Sequence, residues 1–116
     1  MAGLAGPTGE LQARFDDGLR FLVAALALAT DHRDADHRNP AAAVSAACDA
    51  VRCFLAIFTI AAERHLADPH GEVARLRDQC VALLSTEQDP EDALKHALEA
   101  ARLSRDGAAR LLPRLL

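Results

Sequence analysis

The sequence predicts an all-α fold: an antiparallel up-down-up-down four-helix bundle with a short C-terminal helical turn. Apolar residues recur at spacings of three and four, and no segment alternates apolar and polar residues as a half-buried strand does. An Asn or Asp also precedes Pro at three points, Asn39-Pro40, Asp68-Pro69 and Asp89-Pro90. The Asx side chain can accept a hydrogen bond from a free N–H of a first helical turn, and the proline lacks an N–H that would have no partner there. Each pair therefore predicts a helix start.

The first helix is predicted to follow a disordered tail over residues 1–7 and to run from its N-cap, Thr8, to Ala29. One apolar stripe at helical spacing predicts its buried face: Leu11, Phe15, Leu19, Leu22, Leu26 and Ala29. From Ala24 onward the opposite face also consists of alanine and leucine. The second half of this helix is therefore apolar on nearly all sides.

The second helix is predicted from Pro40 to about Ala67. Its polar residues form one narrow line, interrupted only by Ala56: Ser45, Asp49, Arg52, Thr59 and Glu63. So thin a solvated face is typical of a helix that lies at the centre of its fold or in a subunit interface.

The third helix is predicted from Pro69 to about Thr86, and the fourth begins at Pro90. We expect the fourth to end at Asp106-Gly107, because glycine adopts the left-handed C-cap conformation at no steric cost. A last turn over residues 108–112 would then stop at Pro113. The connections are short, so residues 8–116 are expected to form one bundle domain.

Composition excludes several classes of function. The net charge is -4, without long runs of one sign, which argues against coating nucleic acid or an anionic membrane. The N-terminus has no signal-peptide pattern, and the uncharged apolar stretches 21–29 and 53–62 are too short to span a bilayer, so we expect a cytoplasmic protein. No glycine-rich phosphate loop is present, and no cofactor is expected. None of the three cysteines sits in a C-x-x-C pair, which favours buried reduced thiols.

Helix length and apolar surface predict self-association. The second helix would be roughly 40 Å long and would overhang the shorter third and fourth helices. A second copy could cover that surface, so the sequence predicts a homodimer, or the docking of a partner helix. The interface residues predicted for it are Ala24, Ala27, Leu28, Val51, Phe54 and Phe58. The alternative is that leucines near the C-terminus fold back over the overhang: Leu111, Leu112, Leu115 and Leu116.

Arg64 and His70, separated by five residues, are candidate catalytic residues. Arginine could hold a scissile phosphate bidentately, and a neutral histidine could accept the proton of a 2′-hydroxyl group. This R-x5-H spacing, the four-helix layout and the alanine-rich second helix resemble the HEPN superfamily of small helical proteins, over about residues 10–105. The resemblance implies a homodimer with its active cleft at the interface, and either RNA cleavage as a toxin–antitoxin component or an accessory role beside a nucleotidyltransferase. The other interpretation is an ordinary helix–helix turn, whose Arg and His side chains interact with the C-terminal carbonyls of the second helix.

The segment 31–37 contains two histidines and three aspartates, which are ligands for transition metals. The candidate ligands are His32, Asp34 and His37. Arg33 and Arg38 oppose a cation there, and a solvated loop is the stronger interpretation.

Overall fold

A computed structural model describes residues 7–29, 40–68, 70–85 and 89–116. These residues form four α-helices: α1 (Pro7–Ala29), α2 (Pro40–Glu63), α3 (Glu72–Ser85) and α4 (Pro90–Leu115). The described ranges include no β-strand, so the predicted all-α class is confirmed. The start of α1 at Pro7 precedes the predicted cap, Thr8, by one residue.

The helices pack around a central pair, α2 and α4. α1 packs mainly on α2 and to a lesser extent on α4, whereas α3 packs mainly on α4 and touches α2 only slightly. The molecule is consequently flat, with extents of 46 × 37 × 16 Å and a radius of gyration of 15.4 Å. A compact domain of this length would have a radius of gyration of about 13 Å. The flat arrangement leaves much of α1 and α3 unpacked.

The core is built around α2. The ring of Phe54 is fully buried and meets that of Phe15 edge to face, with centroids 5.5 Å apart and an interplanar angle of 61°. Alanines let the helices approach closely, and α2 alone contributes four buried ones: Ala43, Ala47, Ala50 and Ala61. The exposed side of α2 includes Ser45, Arg52, Thr59 and Glu63, as the narrow polar line predicts. Asp49 and Arg52 form an ion pair of 3.3 Å on that side.

The predicted end of the fourth helix at Asp106-Gly107 is wrong, because α4 continues to Leu115. Gly107 is buried inside the helix, and a Cβ atom built on it would lie 2.3 Å from the ring of Phe58 and 2.6 Å from Leu76. The glycine is therefore required by close packing rather than by a helix end. Pro113 lies in the last turn, where the N–H of Leu116 still donates to the carbonyl of Leu112 at 3.1 Å.

The predicted overhang of the first two helices is also wrong. α4, with 26 residues, is the longest helix, and α3, with 14, is the only markedly short one of the four described. The extension of α4 carries Leu111, Leu112 and Leu115 into the core, whereas Leu116 is 55% exposed. Three of the four leucines named in the alternative are thus buried, but through the continuation of α4 and not by folding back over an overhang.

The connection between α2 and α3 is longer than predicted. α2 ends at Glu63 rather than near Ala67, because His65 takes a positive φ of 54°. α3 begins at Glu72 rather than at Pro69, after Gly71 with a φ of 65°. Asp68 nevertheless caps α3, since its carboxylate accepts hydrogen bonds from the N–H groups of Val73 and Ala74, each at 3.3 Å. For α3, the Asx-Pro pattern identified the capping residue but not the first helical residue. Asn39, the cap predicted for α2, lies outside the described residues.

Asp89 caps α4 as predicted. Its Oδ1 accepts hydrogen bonds from the N–H groups of Glu91 at 3.0 Å and of Asp92 at 3.1 Å. Hydrogen bonding, first from the Asp92 backbone, lowers the pKa of Asp89 below its ordinary value of 3.8. A carboxyl group whose pKa is lower in the folded state stabilises the fold above its unfolded pKa, and this stabilisation is lost as the pH falls through the folded pKa.

We therefore expect Asp89→Ala to lower the melting temperature at neutral pH, because the first turn of α4 loses its acceptor. Well below pH 3.8 the melting temperatures of the variant and the natural protein should converge. Thermal unfolding followed by circular dichroism measures both. Asp89→Asn is the control, since asparagine caps without titrating. A difference in melting temperature that is equally large in acid would contradict this account.

Candidate functional site

Arg64, one of the two predicted catalytic residues, is held by α4. Its guanidinium donates a hydrogen bond of 3.2 Å to the carbonyl of Leu115 in the last turn of that helix. Arg114, in the same turn of α4, donates one of 2.8 Å to the carbonyl of Ala67 in the α2–α3 connection. Carbonyls at a helix end lack partners within the helix and carry partial negative charge, so arginine suits them. The two arginines thus tie the end of α4 to the end of α2.

His70, the other predicted catalytic residue, is exposed in the turn before α3. Its backbone carbonyl accepts a hydrogen bond of 2.8 Å from Arg75. Its side chain lines a cavity of about 210 Å³ between α3 and the end of α4, together with Arg110 and Arg114. Arg64 lines a different cavity, between α1 and α2. The chain by itself does not bring Arg64 and His70 into one cavity.

The cavity beside Arg64 is an open groove of about 560 Å³, which we call the α1–α2 groove. Leu11 borders it but is only 1% exposed, so the half-buried Ile60 supplies most of its apolar surface. The remaining lining residues are small or charged: Glu10, Arg14, Ala56, Thr59, Glu63 and Arg64. Glu10 and Arg14 form an ion pair of 3.1 Å on the α1 side. The groove therefore offers apolar surface between charged side chains, a form that suits a protruding apolar side chain.

The six predicted interface residues fall into two groups. Val51, Phe54 and Phe58 are only 1%, 0% and 3% exposed, so they lie in the core of the chain and offer no surface to a partner. Ala24 and Ala27 are exposed, and Leu28 is partly buried.

Two further exposed apolar residues were missed as interface candidates. Phe21 is 38% exposed and Val23 is 66% exposed, both on the second half of α1. The signal was the uncharged stretch 21–29, which also contains the predicted interface residues Ala24, Ala27 and Leu28.

The cysteines are free thiols, as predicted. Cys80 is buried and donates to the carbonyl of Ala100 at 3.5 Å, and burial raises its pKa to about 11. Cys48 and Cys53 are only partly buried. Burial is the main cause that raises the pKa of Cys53; the Asp17 carboxylate raises it further, and Arg14 lowers it.

The predicted metal ligands His32, Asp34 and His37 lie outside the described residues. Among the residues that the structure does describe, no group of three or more His, Cys, Asp or Glu side chains could hold a metal ion.

By length and composition, α2 could cross a membrane. The prediction from the sequence considered only uncharged stretches and therefore did not identify it. The core helix of a soluble protein has the same character, and the packing of α2 against α1 and α4 accounts for its apolar composition.

Comparison of the chain with protein-family models, with curated proteins and with solved structures gives no match.

Proposed function

We propose that the protein is a helical bundle that acts through protein–protein contact, and that its partner is a second copy of itself. The supporting observation is the exposed apolar surface on the second half of α1. Phe21 and Val23 are 38% and 66% exposed, Ala24 and Ala27 are exposed, and residues 21–29 include no charged side chain. Single exposed apolar residues are ordinary, but a continuous apolar stretch on one helix is typical of a contact site.

The proposal includes the finer architecture predicted from the sequence: one cytoplasmic domain with the helices in antiparallel up-down-up-down order. The central α2–α4 pair supports it, because two long helices joined through short α3 can lie side by side with α1 and α3 on either flank. The flat shape supports self-association, since two flat molecules packed face to face bury apolar surface that each leaves exposed alone.

We expect the mass in light scattering to rise with concentration from 12.4 kDa toward twice that value. The double variant Ala24→Glu/Ala27→Glu should stay at the mass of one chain, because association would remove two carboxylates from water without partners. Ala109→Glu is the matched control: Ala109 is an exposed helical alanine on α4, and its variant should behave as the natural chain. A natural chain that stays monomeric over the whole concentration range would contradict the proposal.

The other two functions stay predictions from the sequence. RNA cleavage by Arg64 and His70 would require Arg64 to exchange its bond to the Leu115 carbonyl for a phosphate, and His70 to reach it from another cavity or another chain. Metal binding by His32, Asp34 and His37 concerns residues that the structure does not describe. The exposed surface of α1 is the stronger basis for a proposal.

A further inference from the structure

One face of the molecule combines an edge of α1 with the exposed side of α2. The α1 edge is a line of residues three or four apart: Glu10, Arg14, Asp17, Phe21, Ala24 and Leu28. Glu10 and Arg14 line the α1–α2 groove, so this edge borders α2. The α2 side is the polar line with Ala56: Ser45, Asp49, Arg52, Ala56, Thr59 and Glu63. We call the two lines together the α1–α2 face.

The two ends of this face differ in shape and polarity. One end contains the α1–α2 groove, a concave surface of about 560 Å³ beside residues 10–14 of α1. The other end presents the apolar side chains of Phe21, Ala24 and Leu28. The centres of the two ends are about 12 residues apart along α1, which corresponds to roughly 18 Å. A two-fold axis midway would bring the apolar end of each copy against the groove of the other.

The charges between the two ends are compatible with such an axis. Asp17 pairs with Arg20 at 3.6 Å, and Asp49 pairs with Arg52 at 3.3 Å. Both arginine side chains remain 81% exposed. These two arginines and two aspartates carry no net charge. The same four residues of a second copy can therefore face them, with each arginine near a carboxylate and without net repulsion.

The size of the α1–α2 face is sufficient for a modest dimer. Residues 10–28 rise about 28 Å, and two helices side by side are about 20 Å wide, which gives roughly 560 Å² in plan. Side chains make the surface uneven, so its accessible area is larger than this projected area. It approaches the ~800 Å² per partner of a standard interface.

We infer that two copies dock through their α1–α2 faces about a two-fold axis, with Phe21, Ala24 and Leu28 of each copy in the α1–α2 groove of the other. This inference rests on the proposed self-association and specifies its geometry. In such an isologous interface, a residue midway between the two ends meets its own equivalent. Cys53, partly buried and next to the middle of the polar line over residues 45–63 of α2, is that residue. Cys48, five positions earlier, lies about 140° around the helix and points away from α1.

Cysteine cross-linking tests the geometry. Cys48→Ser/Cys80→Ala leaves only Cys53, and Cys53→Ser/Cys80→Ala leaves only Cys48. A short bismaleimide should give a covalent dimer several-fold more efficiently with the Cys53 chain than with the Cys48 chain on a non-reducing gel. Labelling each chain first with a monofunctional maleimide calibrates thiol reactivity, and circular dichroism verifies that both are folded.

A second measurement places a charge in the groove itself. Ala56→Glu should prevent association in light scattering, because Ala56 lines the α1–α2 groove, whereas Ala74→Glu, at an exposed alanine of α3, should not. A natural chain that dimerises without selective Cys53 cross-linking, or that still dimerises as Ala56→Glu, would overturn this inference and leave the proposed function standing. A natural chain that is monomeric throughout would overturn the proposed function, and this inference with it.

Discussion

Gly107→Ala is expected to destabilise the protein by about 1–3 kcal/mol, although alanine in place of a helical glycine ordinarily stabilises by about 0.5–1 kcal/mol. The reversal follows from packing, since the new Cβ would lie 2.3 Å from the ring of Phe58 and 2.6 Å from Leu76. Leu76 is half-buried and could turn aside, whereas the Phe58 ring is only 3% exposed, so its displacement would disturb the packing of the core. Urea unfolding at a protein concentration low enough to keep the chain monomeric measures the difference.

The double variant Phe58→Leu/Gly107→Ala separates packing from backbone strain. Leucine removes the ring atoms that the new methyl group would meet, so the double variant should lose less stability than the sum of the two single variants. Additive losses, or a Gly107→Ala variant more stable than the natural chain, would show that the close approach is not what requires glycine at this position.

Gly107 also shows why the end of α4 could not be predicted. A glycine late in a helical pattern serves either a left-handed C-cap or a close helix–helix contact, and the local sequence is the same for both. Only the neighbouring Phe58 and Leu76, distant in sequence, decide between them. The consequence was large, because the predicted overhang of the first two helices depended on a short fourth helix.

The capping residues were predictable because their partners are local. Asp89 binds N–H groups two and three residues ahead, within the range that an Asx-Pro pattern describes. Asp68 binds N–H groups five and six residues ahead, since the turn at Gly71 delays the helix, and there the pattern gave the cap but misplaced the start.

The role of Arg64 could not be predicted, because its partner is distant in sequence. Its partner carbonyl belongs to Leu115, 51 residues away. A spacing such as R-x5-H describes only neighbours in sequence, whereas this arginine binds across the fold. The candidate contact surface was partly predictable, because the apolar character of residues 21–29 is local, but which of these side chains face solvent depends on how α2 and α4 pack on α1.

Phe54→Ala should cause a second large loss of stability, about 3–5 kcal/mol out of the 5–15 kcal/mol typical of a small domain. Phe54 is fully buried, packs edge to face on Phe15, and lies where even the Cβ of an alanine at position 18 would come within 2.5 Å of its ring. Alanine would lose the buried apolar area, the edge-to-face contact with Phe15 and the close contact at Gly18. The resulting cavity cannot close unless α1 and α2 shift as whole helices.

Phe21→Ala is the matched control, the same chemical deletion on an exposed side chain of α1. We expect it to lower the free energy of unfolding of the monomer by about 1 kcal/mol or less, yet to shift light scattering toward the monomer. Phe54→Ala should lower the free energy of unfolding strongly but leave the association of the folded chain unchanged. Its side chain is 0% exposed and cannot touch a partner. The two phenylalanines therefore distinguish the core from the contact surface. If Phe54→Ala weakened association at concentrations where the monomer is fully folded, the assignment of Phe54 to the core alone would be wrong.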